Sequence, residues 1–161
     1  DTDRSRGLGD VYKRQDIYEG NIYILDDKVP ALYVFRRDGS FLRQIGHQGR
    51  GHGEYWELSD FSIDRENGVI YLWDDALDMA HKYDLRTNGY ISSIKTKRNG
   101  YRSYSMLYLG GKLYVDRTSL DADSENYLLK EIDGKTGTQI ASCLKADDYN
   151  RGVEFSFEIT F

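Results

Sequence analysis

The sequence contains little cysteine, little proline and no long hydrophobic run, and its charge is not basic. Its 161 residues include one cysteine, Cys143, so no disulfide can form within the chain. No apolar run approaches the roughly 20 residues that a membrane-spanning helix needs. The formal net charge is −5, which argues against nucleic acid as the main partner, because phosphate binding needs a basic stripe.

The chain is instead rich in tyrosine and glycine. It has 14 Tyr and 16 Gly but a single Pro, and 39% of its residues are hydrophobic while 30% are charged. This balance indicates a globular chain and not a disordered one. Tyr, Ile, Leu and Val separated by glycine turns favour strands over helices.

Three segments share one pattern of strands and turns, and they comprise residues 21–45, 69–94 and 112–144. Each begins with a short apolar strand that ends in Asp, and continues with a second strand, a turn that contains Gly, and a third strand. Residues 58–64 and 103–109 add a strand before the second and third segments. Four strands at a period of about 45 residues are typical of β-propeller blades.

The alternation of side chains also favours a propeller. Ile22 and Ile24 alternate with Tyr23 and Leu25, so both sides of this strand are apolar. A blade between two neighbours needs this pattern, because both of its faces are covered. We therefore predict an all-β fold, a β-propeller of four-stranded antiparallel blades. An open sandwich is the weaker alternative, since it would not predict the repeated motif.

The first unit, GNIYILDDKVPALYVFRRDGSFLRQIG, resembles an NHL-type propeller repeat. The linker IGHQGRGHGEYWELSDFSID, residues 45–64, resembles the glycine-rich joint of a family of six-bladed β-propellers from Gram-negative envelopes, many of them lipoproteins. That family usually carries Pro between the last two glycines, where this chain has His52. The resemblance implies a periplasmic or outer-membrane-anchored protein, with lipidation as the anchor of the full-length form.

The opening stretch SRGLGDVYKRQ, residues 5–15, fits no blade position. It resembles the translation of a transposon adapter used in sequencing libraries, whose last codons, GAT GTG TAT AAG AGA CAG, give DVYKRQ. We therefore predict that residues 1–15 are not native and that the first blade has lost its innermost strand, with residues 16–19 as a remnant.

On this interpretation the chain is a fragment of about three blades, which also explains why no secretory signal is seen. The predicted blades are residues 16–46, 58–95 and 103–145, with residues 153–161 as the first strand of a further blade. The outer faces of such a fragment would be apolar and uncovered, so we expect them to self-associate.

No pattern in the sequence assigns a catalytic, cofactor or metal site. The acidic pairs Asp26–Asp27 and Asp74–Asp75 end equivalent strands, and their repetition favours a turn-capping role, because a catalytic site needs its residues only once. His47 and His52 share one loop but have no third ligand fixed nearby. The loop 46–53, GHQGRGHG, lacks the Lys and Ser/Thr of a phosphate-binding loop. Its glycines are interpreted as a source of backbone flexibility.

Aromatic residues are the better candidates for recognition, because Tyr and Trp offer rigid amphipathic area to sugars and proteins. The candidate ligand contacts are Tyr55, Trp56, Trp73 and Arg50. The function predicted is a binding or scaffold propeller without catalysis or cofactor, with a protein or carbohydrate as partner. The alternative is a propeller enzyme, a hydrolase or lyase acting on glycans or peptides, whose site lies on missing blades or in the central funnel.

Overall fold

The structure is a computed structural model of the 161-residue chain, and it describes residues 14–26, 28–97, 102–116 and 127–145. These residues form twelve β-strands and no helix. No segment among them is therefore a helix long and apolar enough to cross a membrane.

The strands form three four-stranded antiparallel sheets, each in sequential order, which we number as blades 1 to 3. Blade 1 contains β1 Arg14–Tyr18, β2 Asn21–Asp26, β3 Ala31–Arg36 and β4 Phe41–Ile45. Blade 2 contains β5 Leu58–Asp64, β6 Val69–Asp74, β7 Met79–Asp84 and β8 Tyr90–Lys95. Blade 3 contains β9 Met106–Leu109, β10 Lys112–Asp116, β11 Tyr127–Asp133 and β12 Gln139–Lys145.

Blade 1 has its innermost strand, contrary to the expectation that only a remnant is present. β1 pairs along its whole length with β2, from Arg14 opposite Leu25 to Tyr18 opposite Asn21. The strand extends over residues 16–18, which we expected to be a remnant, and over two residues of the segment predicted to be non-native. The predicted further strand, residues 153–161, lies outside the described residues.

Blade 2 is covered on both faces, as the apolar alternation of the repeat predicts. All six residues of β6 are buried. Ile70 and Leu72 pack in the core between blades 1 and 2. Val69, Tyr71 and Trp73 pack in a second core between blades 2 and 3. Burial on alternate sides of one strand is what stacked sheets require, because successive strand residues point to opposite faces.

The outer face of blade 1 is not covered by the described residues. A row of paired apolar residues crosses all four of its strands, and its members are Ile17, Ile22, Phe35 and Phe41. Ile17 is 65% exposed and Phe41 is 56% exposed, although the Phe41 ring packs edge-on against Phe35. This face resembles the core side of blade 1 in composition but lacks a neighbouring sheet.

Candidate functional site

The joint between blades 1 and 2, residues 46–57, folds back on itself. Tyr55 N–H donates to the His47 carbonyl oxygen at 3.1 Å, and Gly49 N–H donates to the Tyr55 carbonyl oxygen at 2.8 Å. Between these two backbone hydrogen bonds, the side chain of Glu54 stabilises the turn, because its Oε2 accepts the Gly51 N–H at 2.7 Å. The joint is therefore an ordered loop held by its own hydrogen bonds.

The glycines of the joint serve close packing, which corrects the interpretation that they supply flexibility. A side chain on Gly49 would collide with the Glu54 carboxylate. A Cβ atom on Gly53, whose φ is +77°, would lie 2.6 Å from the Tyr90 ring. One on Gly46, whose φ is +64°, would lie 2.5 Å from the Tyr83 hydroxyl. A phosphate bound in this loop would need its backbone N–H donors, but the Gly51 N–H already donates to the Glu54 carboxylate.

Trp56 and Arg50 are both exposed in the joint and contact each other, and we name this pair the Trp56–Arg50 platform. The Arg50 guanidinium carbon lies 4.5 Å from the centroid of the Trp56 ring, a cation–π contact. Trp56 remains 38% exposed with Arg50 in this place. The two residues thus offer an aromatic surface and a positive charge in direct contact.

The backbone of Trp56 is fixed from both sides. Its N–H donates to Oδ2 of Asp74 at 2.5 Å, and its carbonyl oxygen accepts Nε2 of Gln48 at 3.0 Å. Asp74 is fully buried at the end of β6. A ring held on an ordered backbone loses little conformational entropy when it binds, which suits recognition.

Two of the four candidate contacts, Tyr55 and Trp73, are fully buried. Tyr55 packs in the core between blades 1 and 2, and its hydroxyl accepts Nε2 of Gln44 at 3.3 Å. Trp73 packs between blades 2 and 3, and its Nε1 donates to the carbonyl oxygen of Ser103 at 2.6 Å. The prediction that they contact a ligand is therefore corrected, since neither presents surface to solvent in this structure.

Sequence reasoning missed a charged pair, Arg102 and Glu57, whose acidic member follows Trp56 in the chain. Arg102, in the joint between blades 2 and 3, directs Nη1 to Oε2 of Glu57 at 2.8 Å and to Oδ2 of Asp75 at 3.2 Å. Glu57 is the neighbour of Trp56 in the chain and its carboxylate is 43% exposed. Position marks Arg102 and Glu57, since each closely precedes the first strand of a blade, but no local signal shows that the two meet.

The Asp residues that end the second strands cap turns in two of the three blades, as predicted. Asp26 Oδ1 accepts the N–H groups of Lys28 and Val29, and Asp74 Oδ1 accepts the N–H of Leu77. Asp116 in blade 3 instead accepts the N–H of Ser105, just before β9. Asp27, the second member of the first pair, lies outside the described residues.

A chain of polar side chains starts at Asp74, the backbone partner of Trp56; it is buried at Asp74 and His81 and partly buried further on. His81 Nε2 is 3.6 Å from Asp74 Oδ2, and His81 Nδ1 is 2.8 Å from Ser93 Oγ. Ser93 Oγ is in turn 2.8 Å from the Tyr90 hydroxyl, and the Tyr90 ring packs edge-on against His52. His52 is therefore engaged in packing, and the described part of the chain holds no group of three His, Cys, Asp or Glu that could bind a metal.

Three stacked four-stranded sheets with cores between them define the protein as a β-propeller, of which the described residues form about three blades. The chain belongs to a family described as a domain of unknown function (DUF4934), whose match extends over residues 2–160. That range includes most of the segment predicted to be non-native, and the adapter interpretation stays a prediction. No curated protein matches the chain.

Solved structures share this fold. A Bacteroides fragilis NCTC 9343 protein that is named as exported is 25% identical, with a TM-score of 0.69, and the match covers 90% of this chain and 40% of that one. The Pan2 WD40 domain of Neurospora crassa is 11% identical, with a TM-score of 0.55, over 82% of this chain and 35% of that one. The Cps50 (Swd1) β-propeller domain of Myceliophthora thermophila is 9% identical, with a TM-score of 0.53, over 81% of this chain and 38% of that one. The chain therefore spans less than half of each.

Proposed function

We propose that the chain is part of a binding or scaffold propeller without a catalytic role, and that it presents the Trp56–Arg50 platform to a ligand. The observation that carries the proposal is an exposed indole, 38% accessible, with a guanidinium on its ring and a backbone fixed from two sides. Aromatic and arginine side chains dominate the energetics of recognition surfaces. A protein or a carbohydrate is the ligand class that such a surface suits.

The finer features of the proposal come from the resemblance and from one structural relative. We propose a six-bladed, NHL-like protein of the bacterial cell envelope, periplasmic or anchored by lipidation. The Bacteroides protein that is named as exported supports the location, and the 40% of its length that this chain covers leaves room for further blades. The net charge of −5 supports a partner other than nucleic acid.

Arrays of glycans and of peptides, probed with the 161-residue chain, test the binding role. Trp56→Ala removes the exposed ring, so signals that depend on the platform should fall at least tenfold. Arg86→Gln is the matched control, because Arg86 is exposed in the turn after β7 at the other end of blade 2. Array signals that are the same for the wild type and for Trp56→Ala would contradict the proposal.

Location is tested separately by fractionation of cells that express the full-length protein. We expect the protein in the periplasmic or outer-membrane fraction. Recovery with a cytoplasmic marker enzyme would contradict the envelope assignment and leave the binding role unaffected.

A further inference from the structure

The guanidinium of Arg50 has an unusual environment for an exposed arginine in an acidic protein. Among the residues that the structure describes, it contacts the Trp56 ring and forms no ion pair with a carboxylate. Glu54, the acid nearest to it in the joint, directs its carboxylate to the Gly51 N–H instead. The positive charge of Arg50 is therefore placed on an aromatic surface, where no acid of the joint neutralises it.

The next surface group along the joint has the opposite chemistry. Glu57 follows Trp56 directly, and its half-exposed carboxylate is held at 2.8 Å by Arg102. A carboxylate accepts hydrogen bonds from hydroxyl groups, whereas a guanidinium donates to carboxylates, often through two parallel bonds. The joint thus carries a cation in contact with an aromatic ring, and a carboxylate on the residue that follows the ring in the chain.

We propose that the platform binds an acidic sugar, a hexuronate unit of a polysaccharide. A hexuronate has an apolar C–H face that can pack on Trp56 and a carboxylate suited to Arg50, which contacts the same ring. Its ring is rigid, so these two groups are presented together with little entropy lost on binding. The proposal rests on the binding role of the platform and adds the class of its ligand.

A neutral sugar matches the surface less well, because it would use the ring and leave the guanidinium without a partner. An acidic peptide could satisfy Arg50, but its backbone and side chains must be ordered on binding, which costs affinity. Because Arg50 contacts the Trp56 ring directly, one compact and rigid ligand can reach both groups. These alternatives become outcomes of the experiment below.

The charge of the platform can be measured without a ligand, by quenching of tryptophan fluorescence. Trp56 and Trp73 are the two tryptophans, and Trp73 is fully buried, so ionic quenchers in water report on Trp56. Relative to the iodide-to-caesium ratio of a free tryptophan amide in the same salts, we expect an about twofold preference for iodide, because the nearby cation attracts the anion. Arg50→Gln should remove this preference, and quenching by neutral acrylamide corrects for the change in ring exposure. An iodide preference that survives Arg50→Gln would overturn the charge assignment.

Ligand class is then tested by isothermal titration calorimetry with trimers of galacturonate and of mannuronate, because this readout does not depend on Trp56 fluorescence. Their methyl esters are the matched probes, because they keep the ring and remove the charge. At least one acid should bind tenfold more tightly than its ester. Arg50→Gln should lose this difference, Trp56→Ala should lose binding of both forms, and Arg86→Gln should behave as the wild type.

Each other result has a distinct meaning. Equal affinity for acid and ester, with binding lost in Trp56→Ala, would overturn the acidic class and leave the binding role standing. Binding of polyglutamate that depends on Arg50, without binding of either acid trimer, would overturn the sugar and favour an acidic peptide. Absence of binding to all of these probes would overturn the hexuronate proposal, and the glycan and peptide arrays would then decide whether the binding role fails with it.

Discussion

Arg14 Nη1 lies 2.6 Å from Asp60 Oδ1, and this ion pair joins β1 of blade 1 to β5 of blade 2. Asp60 is almost fully buried, and its second oxygen, Oδ2, accepts the N–H of Met106 in β9 at 2.7 Å. Arg14 also donates to the carbonyl oxygen of Met106 at 3.3 Å. One carboxylate and one guanidinium therefore connect the first strands of all three blades.

Removal of the Arg14 charge should destabilise the chain. Burial raises the pKa of Asp60, and the neighbouring Arg14 opposes that rise. Arg14→Gln leaves a buried carboxylate without its cation, so we expect a loss of about 3 kcal/mol in the free energy of unfolding at neutral pH. Urea denaturation followed by fluorescence measures this loss.

The pH dependence of the loss of unfolding free energy in Arg14→Gln separates the effect of the missing charge from that of altered packing. A carboxyl whose pKa is higher in the folded state than in the unfolded chain costs stability as the pH rises through its titration. The deficit of Arg14→Gln should therefore be smaller at pH 5 than at pH 8. Arg65→Gln is the matched control, because the Arg65–Asp16 pair also joins blades 1 and 2 but is more exposed and should cost less than about 1 kcal/mol. Equal losses in the two variants would contradict this account.

The blades could be predicted from the sequence because the patterns that form them are short-range and recur in each blade. The alternation along β6 requires apolar residues on both faces, and the Asp at its end is a short-range turn signal, confirmed at Asp26 and Asp74. Periodicity could not show how each aromatic near the joint is oriented. Tyr55 and Trp56 are adjacent in the chain, yet one is fully buried and the other is 38% exposed.

The charged part of the candidate site could not be predicted for a different reason. Arg102 and Glu57 are 45 residues apart in sequence and meet because two joints converge between neighbouring blades. No local pattern encodes that meeting. The packing role of the joint glycines could not be predicted either. Gly53 must lack a side chain because the ring of Tyr90, a residue of the next blade, packs against it.

The outermost turns of blades 2 and 3 should make the chain sensitive to acid. Hydrogen bonds from Thr87 lower the pKa of Asp84, and those from Thr136 and Lys135 lower the pKa of Asp133. A carboxyl whose pKa is lower in the folded state contributes stability above its unfolded pKa, and this contribution is lost as the pH falls through the folded pKa.

The measurement is the melting temperature between pH 7 and pH 3. The wild type should lose stability below about pH 4, near the unfolded pKa of Asp. Asp84→Asn and Asp133→Asn should each melt lower at pH 7 and show a shallower decline on acidification. Glu66→Gln, in the exposed turn after β5, is the control and should follow the wild-type profile. Parallel profiles for all the variants would refute the role of these turns.

The uncovered face of blade 1 should drive association of the 161-residue chain with a second copy. The row that ends in Ile17 and Phe41 is apolar and exposed, and burial of such residues is worth roughly 25 cal/mol per Å² of apolar area. Sedimentation should show oligomers at micromolar concentration, and Ile17→Lys with Phe41→Lys should shift the chain towards monomer. Ile91→Lys, on the outermost strand of blade 2, should not have this effect. A monodisperse wild-type monomer would rule out the association.

Two glycines with a positive φ, Gly39 and Gly53, differ in the space available to a side chain. Gly39, with a φ of +85°, has open space where a Cβ atom would project, whereas a Cβ atom on Gly53 would lie 2.6 Å from Tyr90. Gly39→Ala should therefore cost only the left-handed backbone strain, about 1–2 kcal/mol. Gly53→Ala adds a steric conflict with a ring that is packed against Tyr83, so its loss of unfolding free energy should be at least twice as large. Urea midpoints of the two variants measure the difference, and a loss at Gly53 no greater than that at Gly39 would restore flexibility as the explanation for the glycine-rich joint.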